Sequence, residues 1–215
     1  IAYRDGLDLM TNRFDADGNQ ILGPVRVGPS SNVPGTLDVT ATASGGYAVT
    51  YIAFPGDGTG TNVRLSIVDA AGALVAEDVI GDRNSDGNSL LGFTAGIAEL
   101  SNGNLVVVWE ENNLPNRENF FRIFDTSGNP VTDDELIVNW SNGQVDTEVM
   151  ALPDGGFVVS FTNEGTATDL DSGATFSRGS FVQRFDASGA RVSEPVFVAD
   201  SQAPYMDLTG DSDIA

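Results

Sequence analysis

Four short stretches constrain this chain more than anything else in it: Phe14-Asp-Ala-Asp-Gly18, Val68-Asp-Ala-Ala-Gly72, Phe124-Asp-Thr-Ser-Gly128 and Phe185-Asp-Ala-Ser-Gly189. Each joins an Asp, whose carboxylate can accept from turn amides, to a Gly three residues later that tolerates positive φ. Around the last copy, Phe181 to Val198 alternates apolar and polar residues on both sides of the turn, so the stretch reads as a β-hairpin. The hairpin aspartates Asp15, Asp69, Asp125 and Asp186 are 54, 56 and 61 residues apart. Residues 1–215 are therefore read as a single domain made of four copies of one unit.

Each unit carries four strand signals. The clearest copy runs through Glu148–Leu152, a turn at Pro153-Asp-Gly-Gly156, a second strand over Phe157–Thr162, a loop, and then the hairpin. Leu37–Thr42 with Tyr47–Ala53, and Ile97–Leu100 with Leu105–Trp109, repeat the scheme. Helical periodicity is sustained nowhere, and Gly, Asn-Gly and Asp-Gly interrupt the chain every ten or so residues, which is an all-β pattern. A four-stranded antiparallel sheet cannot cover both of its faces alone, so the expected fold is a four-bladed β-propeller. The first hairpin has too little chain before it to make a whole unit. Tyr205–Leu208 resembles a first strand and Ile214-Ala215 the start of a second, so residues 204–215 are expected to complete the blade begun at 1–28 and close the ring. The alternative is a segment of a longer array whose strand is supplied by a neighbour.

Loop length varies on one side only. From the aromatic that ends the second strand to the residue before the hairpin Asp the separations are 11, 17, 15 and 24 residues, whereas the other two turns of the unit hold their length. The variable loops share one face, which reads equally as a recognition face or as tolerated drift.

Ala151-Leu-Pro-Asp-Gly-Gly-Phe-Val-Val-Ser-Phe161 followed by Phe181-Val-Gln-Arg-Phe-Asp-Ala-Ser-Gly189 resembles the repeats of very large secreted bacterial proteins of the RTX, or haemolysin-type calcium-binding, and adhesin class. The resemblance covers the chain through its four copies. It implies scaffold in a long extracellular polypeptide and supplies no catalytic or ligand residues of its own. The second copy departs most, with Val68 in place of Phe and no Asp-Gly in its first turn.

Composition narrows the chemistry. The formal net charge is −21 over 215 residues, with 31 acids, 10 basic residues that are all Arg, no His and no Cys. This excludes disulfides, thiolate or imidazole metal sites and Ser-His-Asp catalysis, and it disfavours nucleic acid and anionic membrane as partners. No apolar run is long enough to span a membrane as a helix. Together with richness in Gly, Asp, Asn, Ser and Thr, the balance fits an extracellular setting. What remains is oxygen chemistry. Asp82, Asn84, Asp86 and Asn88, with Gly87, place side-chain oxygens as at the start of a calcium loop, although Leu90 and Phe93 stand where closing ligands would be. Asp169-Leu-Asp171 is a sparser candidate. The recurrent hairpin aspartates are expected to cap their own turns, and Tyr3, Tyr51, Trp109 and Phe161 to be core between blades. Phe54, Phe120 and Phe176 are the aromatics available for stacking on a sugar. Arg13, Arg122 and Arg184 recur just ahead of the hairpins. The expected function is a non-enzymatic, structural or adhesive extracellular module, stabilised by calcium and self-associating. The alternative is a carbohydrate-binding or glycan-processing propeller that uses acids of the variable-loop face; no acid pair stands out in sequence.

Overall fold

The computed structural model describes residues 1–6, 8–29, 37–53, 62–81, 91–113 and 116–199. Tyr205–Leu208 and the other residues expected to close the ring lie outside them. The described chain is all β and its pairings are antiparallel. Sheet A contains β1 (Ala2–Asp5), β2 (Asp8–Phe14) and β3 (Gln20–Pro29). Sheet B contains β4 (Leu37–Ala41), β5 (Tyr47–Ala53), β6 (Asn62–Val68) and β7 (Leu74–Gly81). Sheet C contains β8 (Leu91–Glu99), β9 (Leu105–Asn113), β10 (Asn116–Phe124) and β11 (Glu135–Leu136). Sheet D contains β12 (Gln144–Ala151) and β13 (Phe157–Asn163), then, after a small inserted hairpin of β14 (Ala167–Thr168) and β15 (Thr175–Phe176), β16 (Gly179–Phe185) and β17 (Val196–Ala199). Sheets B, C and D run in chain order from first to fourth strand. In sheet A, β1 pairs β2 as β5, β9 and β13 pair the strands that follow them, so among the described residues sheet A has no counterpart of β4, β8 and β12.

The four hairpins are built alike. In each, Asp Oδ1 accepts from the backbone N–H two and four residues on: Asp17 and Asn19, Ala71 and Ala73, Ser127 and Asn129, Ser188 and Ala190. The accompanying glycines have φ between 84° and 88°. These hydrogen bonds favour the ionised carboxylate and hold Asp15, Asp125 and Asp186 below the usual range, chiefly through the Asn19, Asn129 and Ser188 side chains respectively. The aspartates are thus turn elements, as the sequence implies.

The core lies between sheets and comes in three parts. Leu9 and Val27 of sheet A meet Tyr47, Val49 and Tyr51 of sheet B. Ala48, Leu65 and Ile67 of sheet B meet Leu105, Val107, Trp109 and Phe124 of sheet C. Val106, Val108, Phe121 and Ile123 of sheet C, with Trp140 from the connection to sheet D, meet Phe157, Phe161, Phe181 and Phe185 of sheet D. The run Leu105-Val-Val-Val-Trp109 is apolar throughout because its odd residues face sheet B and its even residues face sheet D. Tyr51, Trp109 and Phe161 are buried, as expected for core, but Tyr3 is 37% exposed because no further strand or sheet covers it among the described residues. The outer strand β17 is exposed along its whole length.

Trp140 is a main anchor of the longest variable loop. Trp140 stacks on Phe176 at 4.3 Å, meets Phe161 and Phe181 edge-on, and donates its indole N–H to Asp169 Oδ2 at 3.1 Å. Replacing Trp140 by Ala removes a large buried ring and leaves Asp169 short of a donor. We expect Trp140→Ala to lower stability by about 3–5 kcal/mol in urea denaturation, and Trp140→Phe to lose clearly less.

Candidate functional site

The last apolar residue of β9 is followed at once by two acids. Alternation sends Glu110 into the gap between sheets C and D and Glu111 toward sheet B, where Glu111 Oε1 accepts from the Trp109 indole at 2.9 Å. Both acids are buried, Glu110 being 3% exposed. Glu110 faces three residues carried by other elements. Arg117, in the first turn of β10, lies 3.7 Å from Glu110 Oε1 and 3.8 Å from Glu164 Oε1, so one guanidinium serves two carboxylates. Glu164 follows the end of β13. Asp146 sits at a β-bulge in β12, between Val145 and Glu148, and is the only residue other than glycine with positive φ (56°) among the described residues. A bulge of this kind re-aims a side chain, and Asp tolerates the left-handed region better than most residues.

The electrostatics follow from geometry. Burial drives the Glu110 carboxyl up to about 7; Arg117 opposes the shift, and the neighbouring Asp146 and Glu164 add to it. Asp146 is also raised, first by burial and then by Glu164. Near neutral pH, then, Glu110 still holds its proton in part. All of these residues lie where second strands end, third strands begin, or one sheet leads into the next. That is the face on which loop length varies.

Other residues singled out in the sequence are placed differently. Asp82, Asn84, Asp86 and Asn88, the expected calcium ligands, lie outside the described residues, as does Phe54. Asp169 is taken up by protein donors: its Oδ1 accepts from Asp171 and Ser172 N–H and its Oδ2 from Trp140. Burial opposes ionisation of its carboxyl, but these hydrogen bonds outweigh it and hold the group low. Asp171 accepts from Asn139 and faces Arg191 at 3.7 Å. No group of three or more acids is arranged to hold a metal ion among the described residues. Phe120 is buried against Trp109, and Phe176 is half-buried with its ring stacked on Trp140, so neither is a free stacking platform. Arg13 donates to the Gly45 carbonyl, Arg184 pairs with Asp154 and Arg122 with Asp134; none reaches a hairpin Asp.

Sequence reasoning missed the cluster because its members are far apart in the chain and share no motif. The available signal was Glu110-Glu111 itself. Two acids that continue a strand buried on both faces must have at least one carboxyl under cover.

The sign of the pH dependence is fixed by the direction of the Glu110 shift. Its ordinary value is 4.5 and its folded value about 7, so between these the folded state holds a proton that the unfolded chain releases. The contribution is complete below about pH 4.5 and is lost as pH rises through 7, a difference of ~3 kcal/mol. Glu110→Gln fixes the neutral form. We expect its melting temperature to fall less than that of the parent protein between pH 5 and 8, as read by thermal denaturation.

No described family profile matches the chain, and no curated protein matches it. Among solved structures, it aligns with the endo-arabinase from Bacteroides thetaiotaomicron VPI-5482 at 12% identity, covering 93% of this chain and 75% of that one, with a TM-score of 0.47. A thermostable family-43 glycoside hydrolase aligns at 11% identity over 89% of this chain and 73% of that one, with a TM-score of 0.40. A eukaryotic initiation factor aligns at 10% identity with a TM-score of 0.25. At these values none of the three transfers a residue role or a substrate to this chain. The expectation of a non-enzymatic, structural or adhesive module is corrected on the site itself: a buried carboxyl raised to about 7 among other acids, which the sequence did not reveal, is present at Glu110.

Proposed function

We propose that the chain is a carbohydrate-active module of propeller type, which takes a glycan at the variable-loop end of the gap between sheets C and D and acts on it with carboxylates. The observation that carries this reading is Glu110, buried at the end of an apolar strand and holding its proton to about pH 7 beside Asp146 and Glu164. Cleavage of a glycosidic bond needs one carboxylic acid to protonate the leaving oxygen and a second carboxylate to act as base or nucleophile. Environments that separate the proton affinities of neighbouring acids make that division of labour. In this reading Glu110 is the acid, and Asp146 or Glu164 the second carboxyl. Arg117 stands 3.7 Å from Glu110 and 3.8 Å from Glu164, and its charge opposes the rise at Glu110 without cancelling it.

The test is release of reducing ends from a panel of neutral polysaccharides, arabinan, xylan, galactan, mannan and glucan among them. We expect hydrolysis of one class, with Glu110→Gln and Asp146→Asn each lowering kcat by about a hundredfold or more while the fold is retained. The rate should decline as pH rises past 7, where Glu110 gives up its proton. A protein inert on every member of the panel, or variants as active as the parent, would overturn the reading.

The finer architecture belongs to the same proposal. Sheets A to D are read as four blades, with residues 204–215 supplying the first strand that sheet A lacks. The extracellular setting, the kinship with RTX-type repeats and a calcium site at Asp82, Asn84, Asp86 and Asn88 rest on the sequence alone. Closure is directly testable, since the chain has no Cys of its own. Cysteines replacing Tyr3 and Pro204, which correspond to the pairs Tyr51–Leu37 and Trp109–Ala95, should oxidise to an intramolecular disulfide in a closed ring. Exclusively intermolecular cross-links would favour an array instead.

A further inference from the structure

The residue directly across the β9–β10 ladder from Glu110 is Asn119. Cross-strand partners project from the same face of a sheet, and here that face is the one sheet C turns toward sheet D; the next pairs, Phe121 with Val108 and Ile123 with Val106, are core. Asn119 is fully buried, and neither the nitrogen nor the oxygen of its side-chain amide has a hydrogen-bond partner. Beside Val108 and Phe121 an apolar side chain of the same shape would suit the fold better, because an unpaired buried amide is costly. The cluster above it is graded in exposure. Asp146 is exposed, Arg117 and Glu164 are about one-third exposed, and Glu110 is almost covered. Arg117 stands on the same face of β10 two residues before Asn119, and its distances of 3.7 and 3.8 Å to the two glutamates exceed hydrogen-bond length.

We propose that Asn119 is a glycan-binding residue, and that its amide together with the Glu110 carboxyl takes a hydroxyl-bearing edge of a neutral sugar. The inference rests on the carbohydrate reading given above. The amide supplies a donor nitrogen and an acceptor oxygen, which suits a hydroxyl that both gives and receives. The neutral class follows from charge. Glu110, Asp146 and Glu164 face a single guanidinium in a chain of net charge −21, so a uronate is repelled where an uncharged sugar is not.

The experiment measures binding of neutral arabino-, xylo-, galacto-, manno- and gluco-oligosaccharides, and of oligogalacturonate, by calorimetry on the whole chain and on Asn119→Leu. The parent's Asn119 side-chain amide resonance is followed by NMR in the same titrations. We expect one neutral class to bind and to shift that resonance, no binding of oligogalacturonate, and affinity at least tenfold weaker in Asn119→Leu although its melting temperature rises. If the parent binds a neutral sugar but the variant binds it equally and the resonance is still, Asn119 is not a ligand residue while the carbohydrate reading stands. If the parent binds nothing on the panel, both fall. Tight binding of oligogalacturonate would refute the neutral class. Should Asn119→Leu fail to fold, the shift or stillness of the parent's amide resonance decides the question.

Discussion

A sheet whose middle strands are apolar on both sides must be covered twice, and the rest of this structure depends on that requirement. Sheets B and C meet it by standing between neighbours, which is why β5 and β9 are buried from end to end where their side chains are described. The two constant turns of each unit serve the same end. The hairpin turn does so with an Asp that hydrogen-bonds its own turn amides and a Gly at positive φ, the first turn with a Gly at positive φ (Gly45, Gly103 and Gly155), so that both return the chain without extra length and consecutive strands stay in register.

The polar cluster lies where this covering gives out. Burial of Val106 and Val108 toward sheet D continues to Glu110 and Asn119 without a break in the alternation, and the gap changes from apolar to ionisable within one turn of the pleat. An acid held there is far more responsive to its surroundings than the exposed carboxylates that make up most of the chain's charge. Low local polarity strengthens each interaction among Glu110, Arg117, Asp146 and Glu164, and water can weaken them only from the open side. The same sheet packing that stabilises the molecule therefore prepares the chemistry at its rim.

Much of the fold was legible in the sequence. The hairpin turns at Asp15, Asp69, Asp125 and Asp186 are local events, decided by residues within five positions of one another, and Tyr47–Ala53 and Phe157–Thr162 announce themselves by composition. The site was not legible, because each of its elements depends on pairing. Asp146 reaches the cluster through a bulge, a mismatch between two strands that neither strand encodes by itself. Asn119 matters because of what stands opposite it, and that is known only once the β9–β10 register is known. Phe176 and Phe120, read as platforms, were claimed by Trp140 and Trp109, tryptophans whose burial outweighs any gain from exposing their partners.

Among the described residues the three cores each join adjacent sheets only. Coupling through these cores runs from neighbour to neighbour, and a more distant sheet is felt through them only by relay. Sheets B and C, coupled on both sides, form the stiff middle. Among the described residues sheet D is coupled through one core; it brings Asp146 and, just past β13, Glu164, while Glu110, Asn119 and Arg117 come from sheet C. The cluster thus straddles the joint between two sheets, so the distances among its charges are set by how closely sheets C and D pack.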